Sequence, residues 1–392
     1  MNNAKNLVWP KYYEEDMRAV ASVIESGRVN YWTGDEGRKF ETEFADWVNM
    51  GHAIALANGT LALDLALIAL GIGEGDEVVV TPRTFIASVS SVVLAGARPV
   101  FADVDPDSGN ISAASIARVL TSATKAIIPV HLAGWPADMS GIMKLADTHG
   151  LKVIEDCAQA HGAKIGGRSV GSFGHVGAWS FCQDKIMSTG GEGGMVTTND
   201  PDLWSTMWSY KDHGKSWDAV YNRQHSPGFR WLHESFGTNW RMLEIQSAIG
   251  RTQLRRMDGW TARRTEIAMR LRRALLTQSN AVRVPIPDAA STHAYYRLYA
   301  YVNPRALKLD WSRDRIISRL AELGVSAFQG SCSEVYLEKA FDNTGFRPDK
   351  RLSVAQELGE TSLMFLTHPT LLDHEVELTC EIIADVLQEA AA

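Results

Sequence analysis

The organising stretch of this 392-residue chain reads Val176-Gly177-Ala178-Trp179-Ser180-Phe181-Cys182-Gln183-Asp184-Lys185, followed by the glycine-rich run Thr189-Gly190-Gly191-Glu192-Gly193-Gly194. Its first half is apolar and predicts a buried strand over residues 176–181. Lys185 then stands among apolar and small residues just past the end of that strand. A lysine whose pKa is depressed by burial is a nucleophilic amine, which Schiff-base enzymes use to hold a carbonyl cofactor. An ordinary surface lysine in a loop is the alternative that this stretch leaves open.

Short apolar segments rich in β-branched residues recur along the chain, separated by helical stretches or glycine-rich turns. They cover residues 77–81, 99–104, 126–130, 152–156, 176–181 and 195–198. This alternation predicts an α/β protein with a mostly parallel central sheet covered by helices. Ligands of such sheets bind at the carboxyl ends of the strands. The residues of interest that end or follow a strand are Phe85, His131, Asp156 and Lys185.

The N-terminal part predicts two amphipathic helices between residues 9 and 47, joined by the loop 27–34. This loop contains Trp32 and is typical of either a plain connector or a mobile substrate loop. A short apolar strand then leads into Asn58-Gly59-Thr60 and a buried helix over residues 61–70. The free backbone N–H groups at the start of that helix suit a phosphate, whereas the alternative is that Thr60 only caps the helix.

Asp156 is a carboxylate at a strand end in apolar surroundings, within Ile154-Glu155-Asp156-Cys157-Ala158-Gln159-Ala160-His161-Gly162. A carboxylate buried there is costly unless it pairs with a cation or accepts strong hydrogen bonds. The alternatives are a helix N-cap and a functional partner such as a protonated pyridine nitrogen. Cys157 and His161 share a helical face, but no further ligands stand nearby, so no metal site is expected.

Composition limits the classes of function. With 45% hydrophobic and 22% charged residues the chain is typical of a soluble globular protein, and its length predicts two domains. The net charge of -7 argues against broad nucleic-acid binding. The four cysteines show no C-x-x-C spacing, and no apolar run is long enough to span a membrane. We therefore expect a reduced, cytoplasmic protein.

Several short motifs follow one another in a fixed order. They are Asn58-Gly59-Thr60, Thr84-Phe85, Glu155-Asp156-Cys157-Ala158-Gln159-Ala160-His161-Gly162, Ser180-Phe181 with Lys185, Gly191-Glu192-Gly193-Gly194, and Asn239-Trp240-Arg241-Met242-Leu243-Glu244-Ile245-Gln246-Ser247-Ala248. Each motif alone is weak, but the ordered set resembles the sugar aminotransferases of the DegT/DnrJ/EryC1/StrS family. The resemblance covers nearly the whole chain. It implies a type I aminotransferase fold, pyridoxal 5'-phosphate as cofactor, and a homodimer with shared active sites.

The resemblance also implies roles for individual residues. Lys185 would form the Schiff base with the cofactor and later move a proton between cofactor and substrate carbons. Asp156 would pair with the pyridine nitrogen and keep the ring protonated as an electron sink. Gln159 would lie close to the ring and its phenolic oxygen, and Phe85 would stack on the opposite ring face.

The phosphate would be held by residues from two chains. The family pattern assigns this role to Gly59, Thr60 and Ser180, with Asn239 reaching in from the partner subunit. On the substrate side, the weaker candidates are Trp32, His213 and His368. The chain departs from the family pattern at Arg83, where small or apolar residues are common, so Arg83 is expected to contact a phosphate or to lie on the surface.

The function expected from the resemblance is amino transfer from L-glutamate to a nucleotide-linked keto-sugar, with a 4-keto-6-deoxy hexose as the favoured acceptor. Relatives that carry histidine in place of the lysine are dehydratases, so Lys185 favours transamination. The alternatives are an aminotransferase for a carbocyclic ketone and a non-catalytic regulatory protein that kept the cofactor fold. A large cofactor-binding domain is expected over residues 1–250 and a smaller α+β domain over residues 251–392.

Overall fold

The structure is a computed structural model that describes residues 9–392. The helices are α1 (Glu14–Ser26), α2 (Glu36–Val48), α3 (Gly59–Ala69), α4 (Ala87–Leu94), α5 (Ala113–Ala117), α6 (Met139–His149), α7 (Pro201–Lys211), α8 (Trp217–Tyr221), α9 (Glu244–Leu254), α10 (Met257–Leu275), α11 (Arg313–Glu322), α12 (Ser353–Thr361) and α13 (Asp373–Ala390). The strands are β1 (His52–Leu56), β2 (Glu77–Val80), β3 (Arg98–Phe101), β4 (Thr124–Ile128), β5 (Lys152–Asp156), β6 (Lys164–Ile165), β7 (Arg168–Ser169), β8 (Val176–Ser180), β9 (Gly194–Thr198), β10 (Val282–Arg283), β11 (Ser291–Thr292), β12 (Arg297–Val302), β13 (Ala327–Phe328) and β14 (Ser362–Leu366).

The central sheet has seven strands in the order β1-β9-β8-β5-β4-β2-β3. The run from β3 to β8 is parallel throughout, and β9 pairs antiparallel with both β8 and β1. Helix α3 packs against β8 and β9, and every residue of β8 and β9 is buried. Strands covered on both faces need no polar alternation, which is why they read as continuous apolar runs in the sequence. The predicted α/β class with a mostly parallel sheet is confirmed.

A second sheet lies in the C-terminal part of the chain. Its four strands run antiparallel in the order β10-β12-β14-β13, α11 packs against β13 and β14, and α13 packs against α10 and α11. One face of this sheet packs into an apolar cluster with α11 and α13. On the other face, Tyr299 and Tyr301 of β12 join an apolar cluster of the central sheet. This is the smaller α+β unit of the predicted fold class. The proposed boundary after residue 250 falls within α9 and stays a prediction.

A smaller sheet of short strands, in the order β11-β6-β7, completes the topology. Short 3-10 turns lie at Leu132–Gly134, Leu276–Gln278, Pro304–Ala306, Val335–Leu337 and Lys339–Phe341. Across residues 9–392, none of the helices combines the length and the hydropathy that crossing a bilayer requires.

Candidate active site

A cleft of about 580 Å³ opens beside the carboxyl ends of β5 and β8. The central sheet brings seven of the predicted residues together in its wall. They are Gly59, Thr60, Phe85, Asp156, Gln159, Ser180 and Lys185. Because parallel strands end at the same edge of a sheet, residues more than 100 positions apart in sequence meet there.

The N-terminus of α3 forms one end of the cleft. The Asn58 side chain accepts a hydrogen bond from the Leu61 amide at 3.0 Å, so Asn58 rather than Thr60 is the helix cap. The other amides at the start of the helix have no intrahelical acceptor and are available to an anion. A Cβ atom on Gly59 would lie 2.5 Å from the Ser180 Cβ, so only glycine permits this approach to β8. The end of the cleft therefore presents amides and hydroxyl groups, which suit a phosphate.

Asp156 lies at the floor of the cleft and is only 5% exposed. Its Oδ2 accepts a hydrogen bond from the Ser88 hydroxyl at 2.7 Å, and its Oδ1 accepts one from the Ala158 amide at 3.0 Å. Within residues 9–392, no basic side chain forms an ion pair with this carboxylate. A buried carboxylate without a cation is costly. A protonated ring nitrogen bound in the cleft would supply the missing charge.

Ser88 is a site residue that the sequence reasoning missed. It lies on α4 with its hydroxyl 2.8 Å from that of Thr84, and both residues are buried. Serines on helices are common, and nothing in the local pattern separates this one from Ser90 or Ser91. The one signal that was available is that Ser88 lies four residues after Thr84, which belongs to the Thr84-Phe85 motif.

The Lys185 amine lies beside two acidic groups. Its Nζ is 3.3 Å from the Asp184 Oδ1 and 5.4 Å from the centre of the Tyr296 ring, and the Tyr296 hydroxyl donates to the Asp184 Oδ2. Burial lowers the pKa of Lys185, but the nearby Tyr296 phenol and the Asp184 carboxylate outweigh burial and raise it above its ordinary value. The expected depression of the pKa of Lys185 is therefore wrong for the free amine, because the charge of its neighbours opposes desolvation.

Asp184→Asn is expected to lower the pKa of the free Lys185 amine, since it removes a negative charge 3.3 Å away. More of the amine is then neutral at a given pH, so the apoprotein should capture pyridoxal phosphate faster near neutral pH. The measurement is the rate at which the visible band appears after mixing, as a function of pH. Asp218→Asn, which alters a carboxylate paired with Arg223 at the surface, is the control. If the midpoint of the pH-rate curve of Asp184→Asn stays at the wild-type value or moves to higher pH, Asp184 does not raise the pKa of Lys185.

Two further predicted residues line the cleft. The Gln159 Oε1 accepts a hydrogen bond from the Ala133 amide at 2.8 Å, which fixes the orientation of its side-chain amide. Phe85 is 67% exposed and lines the cleft. An exposed ring at the wall of a cleft can cover one face of a flat ligand.

The remaining predicted residues lie outside the lining of this cleft. Asn239 is exposed, and its backbone pairs with that of Asp212. His213 is also exposed, with a backbone φ of 60°. Trp32 packs edge-on against Trp208, with ring centres 6.0 Å apart, and Lys215 lies over its ring.

His368 is 3% exposed and stacks on Trp9 with ring centres 6.3 Å apart. Burial, together with the nearby charges of Arg264 and Arg297, lowers the pKa of His368 to about 4. The imidazole is therefore neutral near pH 7. Its surroundings are those of a packed side chain, and its role as a substrate contact stays a prediction.

His131, which follows β4, belongs to a buried structural cluster. Its Nδ1 accepts a hydrogen bond from the Ala137 amide, so its Nε2 carries the proton and donates to the Glu155 Oε2 at 3.0 Å. Glu155 also accepts hydrogen bonds from the amides of Gly171, Phe173 and Gly174. With both its ring nitrogens and the carboxylate engaged within the protein, this cluster stabilises the loop that precedes β8.

Comparisons with known proteins agree with this geometry. Residues 10–384 match the family model of the DegT/DnrJ/EryC1/StrS aminotransferase family. The chain is 37% identical over 363 residues to GDP-perosamine synthase of Caulobacter vibrioides, covering 91% of this chain and 92% of that protein. It is 34% identical over 374 residues to a UDP-N-acetyl-3-dehydro-alpha-D-glucosamine 3-aminotransferase of Acidithiobacillus ferrooxidans, covering 95% and 94%.

A solved structure of an aminotransferase from Psychrobacter cryohalolentis is similar throughout. It superposes with a TM-score of 0.96 at 62% identity, covering 97% of this chain and 98% of that one. The family match spans nearly the whole chain, and the fold is that of pyridoxal-phosphate aminotransferases. The chain therefore belongs to the DegT/DnrJ/EryC1/StrS aminotransferase family and is a pyridoxal-phosphate-dependent transaminase.

Proposed function

We propose that this transaminase moves an amino group from L-glutamate to a nucleotide-linked keto-sugar. The observation that carries the proposal is the meeting of Lys185, Asp156 and the N-terminus of α3 in one cleft. The relatives named above are enzymes of nucleotide-linked sugars, which supports that acceptor class. Their names include two different nucleotides, so a panel of GDP-, UDP- and dTDP-linked keto-sugars is the acceptor set to test, with 4-keto-6-deoxy hexoses first.

The residues of the cleft fit pyridoxal phosphate. When bound, the cofactor supplies an electron sink for the carbon that gains or loses the amino group. Asp156 would hold the proton on the ring nitrogen, and its lack of a basic partner within residues 9–392 is the observation that favours this role. Gly59, Thr60 and Ser180 would bind the phosphate, and Gln159 and Phe85 would orient the ring.

Lys185 has two tasks in this scheme. Its Nζ would hold the cofactor through the carbonyl carbon, and as a free amine it would move a proton at the substrate carbon. Asp184 and Tyr296 hold the free amine in its charged form, so that it has a proton to give. The side chain is 17% exposed, which limits the access of water to that proton.

We further propose that the enzyme is a homodimer in which Asn239 completes the phosphate site of the partner. Asn239 is exposed on its own chain and lies near a run of exposed apolar side chains. Phe229, Trp231 and Phe236 are 77%, 81% and 98% exposed. Large exposed apolar groups clustered in one segment are typical of an interaction surface. A second copy of the chain is the occupant that the proposed shared site requires.

Asn239→Ala is expected to weaken cofactor binding in the site formed with the other subunit. In mixed dimers of Asn239→Ala and Lys185→Ala chains, one of the two sites contains both changes and the other contains neither. The second site should bind the cofactor as the wild type does, so half of the activity per dimer is expected. The measurement is the cofactor occupancy and turnover of tagged, purified mixed dimers. Complete inactivity of such dimers would contradict a shared site, because each cleft would then carry one lesion.

The experiment that tests the function is an absorption spectrum of the purified protein before and after addition of L-glutamate. A visible band that gives way to a near-ultraviolet band would support the cofactor, the amino donor and Lys185 together. Titration with the keto-sugar panel should then restore the visible band. Restoration by a free carbocyclic ketone, but by no nucleotide sugar, would favour the alternative acceptor. A band that never responds to any amino donor would favour the non-catalytic alternative.

A further inference from the structure

Arg83 is a fully buried cation without an acidic partner in the part of the chain that the structure describes. Its Nη1 donates to the Ser333 hydroxyl at 2.7 Å, and its Nη2 donates to the Ser362 hydroxyl at 3.0 Å. The guanidinium also lies 5.0 Å from the centre of the Tyr299 ring. The expectation of a surface position for Arg83 is therefore wrong, and Arg83 does not line the cleft in which a phosphate would bind. Its neighbours are side chains of the C-terminal part of the chain.

The turn that carries Arg83 is also tied to the C-terminal part through the backbone. The Thr84 amide donates to the Cys332 carbonyl at 3.1 Å, and the Val335 amide donates to the Pro82 carbonyl at 2.8 Å. These bonds and the two from the guanidinium connect the end of β2 with the segment after β13 and with the start of β14. The geometry of the turn 82–84 is thus determined by groups from both sheets.

A buried hydrogen-bond chain runs from this turn to the floor of the cleft. The Thr84 and Ser88 hydroxyl oxygens are 2.8 Å apart, and the Ser88 hydroxyl donates to the Asp156 Oδ2 at 2.7 Å. A hydroxyl has one proton, so when Ser88 donates to Asp156, Thr84 is the donor to Ser88. Displacing Thr84 therefore weakens the hydrogen bond that holds Asp156 in its orientation.

Burial of a guanidinium that hydrogen-bonds only to hydroxyl groups costs free energy, because its charge is desolvated and an apolar side chain in the same place would avoid that cost. We propose that Arg83 is a positioning residue for Asp156. It fixes the turn 82–84 against Ser333 and Ser362, and through Thr84 and Ser88 it holds the carboxylate in the orientation that the cofactor nitrogen requires. This inference rests on the role proposed above for Asp156.

A purely structural role for Arg83 makes a different prediction. If Arg83 only joined the two parts of the chain, its loss would lower the melting temperature of the apoprotein and of the cofactor-bound protein by the same amount. If Arg83 positions Asp156, its loss also lowers the additional stabilisation that the cofactor provides, because ligand stabilisation depends on the dissociation constant. The loss of Arg83 then also alters the absorption spectrum of the bound cofactor, because that spectrum reports on the protonation of the cofactor ring.

The test uses Arg83→Lys, which keeps the charge but cannot donate to both serines in the same geometry. Pyridoxal phosphate is titrated into apoprotein, and the dissociation constant, the spectrum and the melting temperature with and without cofactor are measured. We expect roughly tenfold weaker cofactor binding and a changed spectrum. Ser88→Ala should give the same changes. The combined Arg83→Lys, Ser88→Ala variant should lose less cofactor affinity than the product of the two single losses, because both residues act through one hydrogen bond.

Arg313→Lys is the matched control. Arg313 donates to the carbonyls of Gly359 and Ser362 at 3.0 and 3.1 Å, so it supports the start of β14 without contacting the turn 82–84. It should lower the melting temperature of both forms equally and leave the spectrum unchanged. The Ser333→Ala, Ser362→Ala double variant removes the acceptors instead of the cation and is the second route should Arg83→Lys fail to fold.

Wild-type affinity and spectrum in a folded Arg83→Lys protein, or in the double serine variant, would overturn the inference. So would independent, multiplicative effects of Arg83→Lys and Ser88→Ala. The proposed role of Asp156 fails separately, and is tested by Asp156→Asn in the same titration. If Asp156→Asn leaves the affinity and the spectrum unchanged, the failure lies in the cofactor assignment and not in the link from Arg83.

Discussion

Lys185→Ala is expected to abolish turnover while the protein remains folded. In the proposed function this amine would hold the cofactor and would move the proton at the substrate carbon, so its removal should eliminate both functions at once. A loss of at least roughly a thousandfold in kcat is expected. The change in the absorption spectrum on addition of L-glutamate should also disappear. The measurements are the steady-state rate with glutamate and the preferred keto-sugar, and circular dichroism for the fold.

Two further variants make this result specific. Lys185→Arg keeps a cation next to Asp184 but provides no nucleophilic amine at neutral pH, so it should be as inactive as Lys185→Ala. Lys152→Ala removes an exposed lysine at the start of β5 and should retain normal activity. Near-normal turnover by Lys185→Ala, or activity in Lys185→Arg, would remove Lys185 from the centre of the mechanism.

Asp156→Asn is expected to lower kcat by roughly 10²- to 10³-fold, the range found when one charge-stabilising group is removed from an active site. An amide cannot hold a proton on the cofactor nitrogen by charge, so the ring becomes a poorer electron sink. Because Asp156 lacks a basic partner in residues 9–392, the substitution also removes a buried, unpaired charge. The melting temperature of the apoprotein should therefore not fall, whereas the stabilisation by cofactor should shrink.

The adjacent carboxylate is the matched control. Glu155 is fully buried, accepts hydrogen bonds from the amides of Gly171, Phe173 and Gly174, and pairs with His131. Glu155→Gln places an amide against those donors and should lower the melting temperature of the apoprotein and the cofactor-bound protein alike. Its bound cofactor should keep the wild-type spectrum. If the two substitutions gave the same pattern, the distinction between a cofactor carboxylate and a structural one would be untenable.

The contrast between these two carboxylates illustrates what the sequence can predict. Neighbouring residues of a strand point to opposite faces of the sheet, so Glu155 and Asp156 had to lie in different surroundings. Which of them faces the cleft depends on where β5 ends and on what packs against each face. The family resemblance identified Asp156, whereas residue type and local spacing alone left a helix cap as an open alternative.

The sequence by itself determined the fold class and the edge of the sheet that carries the cleft. Continuous apolar strands separated by helices admit few architectures, and their carboxyl ends meet at one edge, which placed Phe85, Asp156 and Lys185 together. The same argument placed His131 there, although its ring is engaged in a buried structural cluster. The Gly59-Thr60 turn was assigned to the same site by the family resemblance. Local patterns of this kind depend on hydrophobic periodicity and on backbone geometry, which short stretches of sequence encode directly.

Only the tertiary structure decided the electrostatics and the support of the site. Tyr296 lies 111 positions after Lys185 in the chain, yet together with Asp184 it reverses the expected direction of the pKa of that amine. Ser88, Ser333 and Ser362 are ordinary serines in the sequence, and become informative only when Arg83 and Asp156 are seen to bind them. Burial, charge pairing and hydrogen bonding depend on contacts between distant segments, and packing of the whole chain creates those contacts.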